Sequence, residues 1–109
     1  MEVSSMLKAL GEPTRASIYQ LLIERKHCVR SLSKKLGITE SAVSQHMKVL
    51  REAGLVYGEQ FGYHTHYLPK QEALSFLICE FQRMQRKSLE RCSDAGTCEC
   101  EFRKESERA

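Results

Sequence analysis

No stretch of this sequence is apolar enough for long enough to cross a bilayer, and the opening MEVSSMLKALGEPTR has neither a basic leader nor the apolar run that secretion requires. A cytoplasmic setting with no membrane partner is therefore expected. There is no glycine-rich phosphate loop, no Cys-x-x-Cys at a helix start, and no nucleophile placed with a base. Enzymatic activity is not expected. The five cysteines are an odd number, which in a reducing compartment argues against a disulfide framework and for metal ligands or reactive thiols.

What is present fits one small domain. At 109 residues the chain can bury a modest core, and small helical subunits of this size often gain stability by dimerising. Seventeen Lys and Arg against fourteen Asp and Glu give a net charge of +3, which is only mildly basic. The distribution says more. Between Arg30 and Arg51 stand Arg30, Lys34, Lys35, Lys48 and Arg51 against Glu40 alone, so phosphate contacts belong in the middle of the chain.

The segment Thr39 to Gly54, TESAVSQHMKVLREAG, reads as a helix with Thr39 as its N-cap and Gly54 at its end. Val43, Met47, Leu50 and Ala53 form one apolar stripe along it. Ser41, Ser44, Gln45, Lys48 and Arg51 lie on the other face, a set suited to a helix entering a major groove or, more plainly, to a solvated surface. The neighbouring segments favour the groove.

Upstream, Val3, Met6, Leu7 and Leu10 stripe a first helix that Gly11 ends. A second helix restarts at Pro13, with Ile18, Leu21 and Leu22 inward, and runs to about Lys26. A short helix from Val29 to Leu36, with Leu32 and Leu36 inward, is joined by LGIT to the Thr39 segment, which makes a helix-turn-helix. Leu55 to Phe61 and Tyr63 to Leu68 read as two strands around Gly62. A long last helix from about Lys70 to Arg91 carries Leu74, Leu77, Ile78, Phe81, Met84 and Leu89, more apolar surface than so small a core can cover. The expected fold is mainly α with a β-hairpin wing: a winged helix-turn-helix of five helices, dimeric through the first and last. Residues 1–91 would form the DNA-binding and dimerisation domain and 92–109 a cysteine-containing tail.

LGEPTRASIYQLL, LSKKLGITESAVSQHMKVLREAGLV and GYHTHYLP, in that order, resemble the ArsR/SmtB family of metal-responsive transcriptional repressors over roughly residues 3 to 90. The resemblance implies a homodimer that binds a palindromic double-stranded operator and leaves it when a metal or metalloid binds. It also implies operator contacts by Ser41, Ser44, Gln45, His46 and Lys48, with Tyr63 and His64 of the wing near the phosphates or minor groove.

Family members that sense arsenic through the helix before the recognition helix keep a CVCDLC-like string there. This chain reads CVRSLS: Cys28 matches, but Arg30 and Ser33 stand where thiolates are needed, and neither can replace a soft anionic sulfur. The family's zinc pattern of a carboxylate and histidines on the last helix is also missing, because no histidine follows His66. RCSDAGTCEC remains, with Cys92, Cys98 and Cys100 and a bend at Gly96. Three thiolates with no required fourth donor suit As(III) first and Sb(III) next. Cd(II), Pb(II) or Zn(II) would ask for a further donor such as Cys28. A third reading is a thiol redox sensor that forms a disulfide at Cys98 or Cys100. His64 and His66 alternate along one strand and so share a face that could chelate, though both also fit as ordinary wing residues. His27 and His46 read as polar surface groups and Cys79 as structural or incidental.

Overall fold

The structure, a computed structural model, describes residues 1–90, so Cys92, Cys98 and Cys100 lie outside the described residues. Among the described residues there are five helices and one two-stranded antiparallel sheet, in the order α1 (Val3–Gly11), α2 (Pro13–Glu24), α3 (Val29–Leu36), α4 (Glu40–Glu52), β1 (Val56–Phe61), β2 (His64–Pro69) and α5 (Gln71–Leu89). Met1–Ile78 forms one compact unit, and a second begins at Cys79 within α5.

The first unit is held by a single apolar cluster. Met6 and Ala9 of α1, Ile18, Tyr19 and Leu22 of α2, Leu32 of α3 and Val43, Met47 and Leu50 of α4 meet Leu55, Val56, Ala73 and Leu77, all buried. The stripe expected on the Thr39 segment is thus the seam on which α4 docks, with Ala53 packed at its edge. In α1 the stripe turns slightly from the expected one: Ala9 is buried where Leu7 is 40% exposed.

Local chemistry sets the ends. Thr39 Oγ1 accepts the Ala42 N–H at 3.0 Å, which satisfies one of the free donors at the start of α4. Gly37, at φ 69°, ends α3 in the left-handed region, and the hydroxyl of Ser33 donates to the Ile38 carbonyl across the same turn. Beyond α4 the chain is pinned by Gly54 N–H to Arg51 O at 3.0 Å, Leu55 N–H to Leu50 O at 3.0 Å and Lys70 N–H to Leu55 O at 2.9 Å. The end of α4, the hairpin and the start of α5 therefore hang from one knot.

The hairpin pairs Val56 with Pro69 through to Phe61 with His64, leaving Gly62 and Tyr63 as a two-residue loop. Gly62 has φ 62°, which a tight hairpin demands of its first loop residue and which a β-carbon would oppose.

One histidine reading is corrected. His27 is 4% exposed and so is not a surface group. Its backbone bridges to Tyr67 of β2, donating at 3.4 Å and accepting from the Tyr67 N–H at 2.8 Å, while its Nδ1 lies 2.8 Å from Ser31 Oγ. The main chain is thus tied to β2 and the ring to Ser31 of α3. Burial, and then the charges of Arg25 and Lys35, hold its pKa below 6.5. Between that lowered value and 6.5 the unfolded chain binds more protons than the folded one, so stability falls as pH drops below about 6.5. Thermal melts between pH 7.5 and 5 should show this decline, and His27→Asn should remove most of it. An equal pH slope in the variant would overturn the assignment.

Candidate nucleic-acid interface

The helix-turn-helix presents one face. With Val43, Met47 and Leu50 turned into the core, the helical period puts Ser41, Ser44, Gln45, Lys48 and Arg51 outward, and all five are exposed. Arg30, Lys34 and Lys35 of α3 are exposed as well. Glu40 is the sole acid between Arg30 and Arg51, and it sits in the first turn of α4, where it complements the helix dipole. The face therefore combines short hydrogen-bonding side chains, of the kind that can pair with base edges, with flanking cations, which suit phosphates.

The wing stands beside it. Tyr63 at the loop is 100% exposed. His64 is exposed and shares the walls of an open cleft with Cys28, Arg30, Lys34 and Lys35, so the wing and the start of α3 bound one basic recess. Contacts brace the hairpin: Lys26 Nζ lies 3.7 Å from the centre of the Phe61 ring, and His66 meets that ring edge-on at 4.9 Å. His66 thus packs on an aromatic, whereas His64 is exposed at the cleft.

His46 differs from its neighbours on α4. It is only partly exposed, with Nδ1 3.4 Å from Nη1 of Arg15 and 3.7 Å from Oε2 of Glu12. Glu12 is the N-cap of α2 and accepts the Arg15 N–H at 2.9 Å, which together with Thr14 and the charges of His46 and Arg15 lowers its pKa. Sequence reading missed Glu12 and Arg15. The available signal was an acid directly before Pro13, at the position where a helix that starts with proline needs a cap.

Among the described residues no group of three or more His, Cys, Asp or Glu could hold a metal ion. Cys28 is half-buried in the cleft wall and Cys79 is exposed. Any thiol site would have to draw on the cysteines beyond residue 90.

A helix-turn-helix flanked by a two-stranded wing, with its polar face clear of the core, defines a winged helix-turn-helix protein. Residues 12–57, from the cap of α2 into β1, match the model of the arsR family of bacterial regulatory proteins. A transcriptional repressor of Mycobacterium tuberculosis, SmtB, is 35% identical over 69% of this chain, which spans 56% of that protein's length. The arsenical resistance operon repressor of Bacillus subtilis is 34% identical over 67% of this chain and 70% of its own. Among solved structures, the homodimeric winged helix-turn-helix domain of Mb0332 from Mycobacterium bovis covers 81% of this chain and 82% of its own at 25% identity, with a TM-score of 0.64. The chain belongs to the arsR family. That is a family of regulators, not of enzymes, in keeping with the absence of catalytic strings.

Proposed function

We propose that this protein is a dimeric transcriptional repressor that binds a palindromic operator through α4 and the wing, and releases it when As(III) or Sb(III) binds Cys92, Cys98 and Cys100. The observation that carries the reading is the exposed face of α4, with Ser41, Ser44, Gln45, Lys48 and Arg51 outward and His46 at its edge, flanked by Tyr63 and His64 of the wing. Half-sites one turn of duplex apart require two copies of that face. The homodimeric relative supports a second copy, and so do Ile78, Phe81 and Met84 of α5, exposed at 57%, 49% and 42%. The repressor names of SmtB and of the Bacillus protein support repression, and the latter's arsenical operon supports the inducer.

The chemistry of the inducer follows from its donors. Arsenite, As(OH)3, exchanges its three hydroxyl groups for three thiols and releases three waters, so a Cys92, Cys98 and Cys100 set completes its coordination without a fourth ligand. Binding lowers operator affinity only as far as it favours the non-binding arrangement of the dimer.

Operator binding measured against arsenite, antimonite, cadmium, lead and zinc tests both halves. Tight binding to promoter DNA, lost with arsenite and antimonite at the lowest concentrations, is expected. Release by cadmium, lead or zinc that also depends on Cys28 would replace the three-thiolate site with a four-donor one. Release by peroxide without metal would make the tail a redox sensor.

A further inference from the structure

The junction of α1 and α2 reaches the recognition helix through one side chain. Arg15 is held there twice over: its backbone N–H is capped by Glu12, and its Nε donates to the carbonyl of Ala9, in the last turn of α1, at 2.8 Å. So anchored, its Nη1 comes within 3.4 Å of Nδ1 of His46, on α4. A guanidinium carries only donors and does not lose its proton in proteins. A hydrogen bond between the two therefore requires a lone pair on the imidazole nitrogen that faces it. Glu12 Oε2, at 3.7 Å from the same nitrogen, is too far for a hydrogen bond and already accepts from Arg15.

We propose that Arg15 fixes the tautomer of His46 and thereby sets which base edges the recognition helix can read. A neutral imidazole has one ring proton, and with Nδ1 committed as an acceptor that proton resides on Nε2. Nε2–H is then the group left to meet DNA from a ring that keeps 25% of its side-chain surface open. It is a donor. In the major groove a donor matches N7 and O6 of guanine, N7 of adenine and O4 of thymine, and is rejected by the amino groups of cytosine and adenine. The opposite tautomer would bring Nδ1–H against the guanidinium and offer the groove an acceptor instead. Arg15 is a positioning residue in this scheme: it touches no base and acts through His46. The inference rests on the operator-reading role proposed for α4 and adds to it a preference at one base.

Two measurements decide it. Nitrogen-15 spectra of the imidazole rings in DNA-free protein, recorded at a pH where histidines are neutral, should show a pyridine-like Nδ1 and a protonated Nε2 on His46. In Arg15→Met the ring should relax toward a mixture of tautomers. A protonated Nδ1 in the wild type, or a ring unchanged in the variant, overturns the proposal whatever the DNA results.

The second measurement is binding to promoter DNA and to random duplex over a range of salt. Arg15→Met should weaken the promoter complex by about tenfold, on the order of one base contact, and leave random-duplex binding and the salt slope unchanged. A slope smaller by about one would instead make Arg15 a phosphate contact and overturn the positioning role. In the His46→Ala background, adding Arg15→Met should cost no further promoter affinity, whereas additive losses would overturn the coupling. Should Arg15→Met fail to fold, Arg15→Lys keeps a cation but loses the fork, and the same readouts apply. A wild-type protein with no preference for promoter over random duplex would remove the repressor reading, while the ring spectrum would still decide the tautomer.

Discussion

Leu50→Ala is expected to lower stability by about 2–5 kcal/mol, the range for emptying a fully enclosed leucine site. Leu50 has 0% of its surface exposed and lies in the cluster that joins α4 to α1, α2 and the start of the wing. Its carbonyl also accepts the Leu55 N–H at 3.0 Å, so the residue sits where α4 hands over to the hairpin. For a domain of this size each kilocalorie moves the melting temperature by about 4–8 °C, so a drop of 10 °C or more should be visible in a thermal melt. Small domains hold a margin of about 5–15 kcal/mol, so the variant should also expose its amides to exchange through partial unfolding. The control is the neighbouring position: Val49 is 37% exposed, and Val49→Ala should stay within roughly 0.5 kcal/mol of the parent. Equal losses at the two positions would mean that α4 docks on a different face.

That contrast shows what the sequence could reveal. Val49 and Leu50 are both apolar, and composition cannot tell them apart. Spacing can, because Val43, Met47 and Leu50 repeat with the helical period and Val49 does not. End signals worked for the same reason: Thr39 caps α4, Gly37 closes α3 and Gly62 turns the hairpin, and each acts on atoms within a few residues of itself. α3 was expected at Val29 to Leu36 and is found there. His27 was misread because its burial is not local. The residue is tied to Tyr67, forty positions downstream, by a single backbone bridge that leaves no periodic trace near His27. The convergence of Glu12, Arg15 and His46 was hidden similarly, since 31 positions separate Arg15 from His46 and only the packing of α1 and α2 beside α4 brings them together. Exposed Ser41, Ser44 and Gln45 were easy to place, but the one partly buried member of the set, His46, was the one with structural partners.

The inducer response should vanish in Cys98→Ser. A serine keeps nearly the shape of the side chain but replaces a soft, polarisable sulfur with a hard hydroxyl, which As(III) has no reason to prefer over the hydroxide it already holds. Two thiolates would remain, the third position would revert to hydroxide, and the ion would no longer be held at three points. In the parent, arsenite should reduce operator affinity by about 5–150-fold, the usual range for a coupling of about 1–3 kcal/mol between two sites. In Cys98→Ser the reduction should fall to near unity at the same arsenite concentration, with operator affinity in the absence of arsenite unchanged, because the residue lies far along the chain from Ser41 to Arg51. Absorbance from sulfur-to-arsenic charge transfer, followed alongside DNA binding, separates loss of the ligand from loss of the coupling. If the signal disappears and release persists, the inducer acts elsewhere, and Cys28, half-buried beside the wing, becomes the thiol to replace next. If both persist, the tail does not hold the ion. Cys79→Ser, which removes an exposed thiol from α5, should change neither signal and so serves as the control for thiol removal in general.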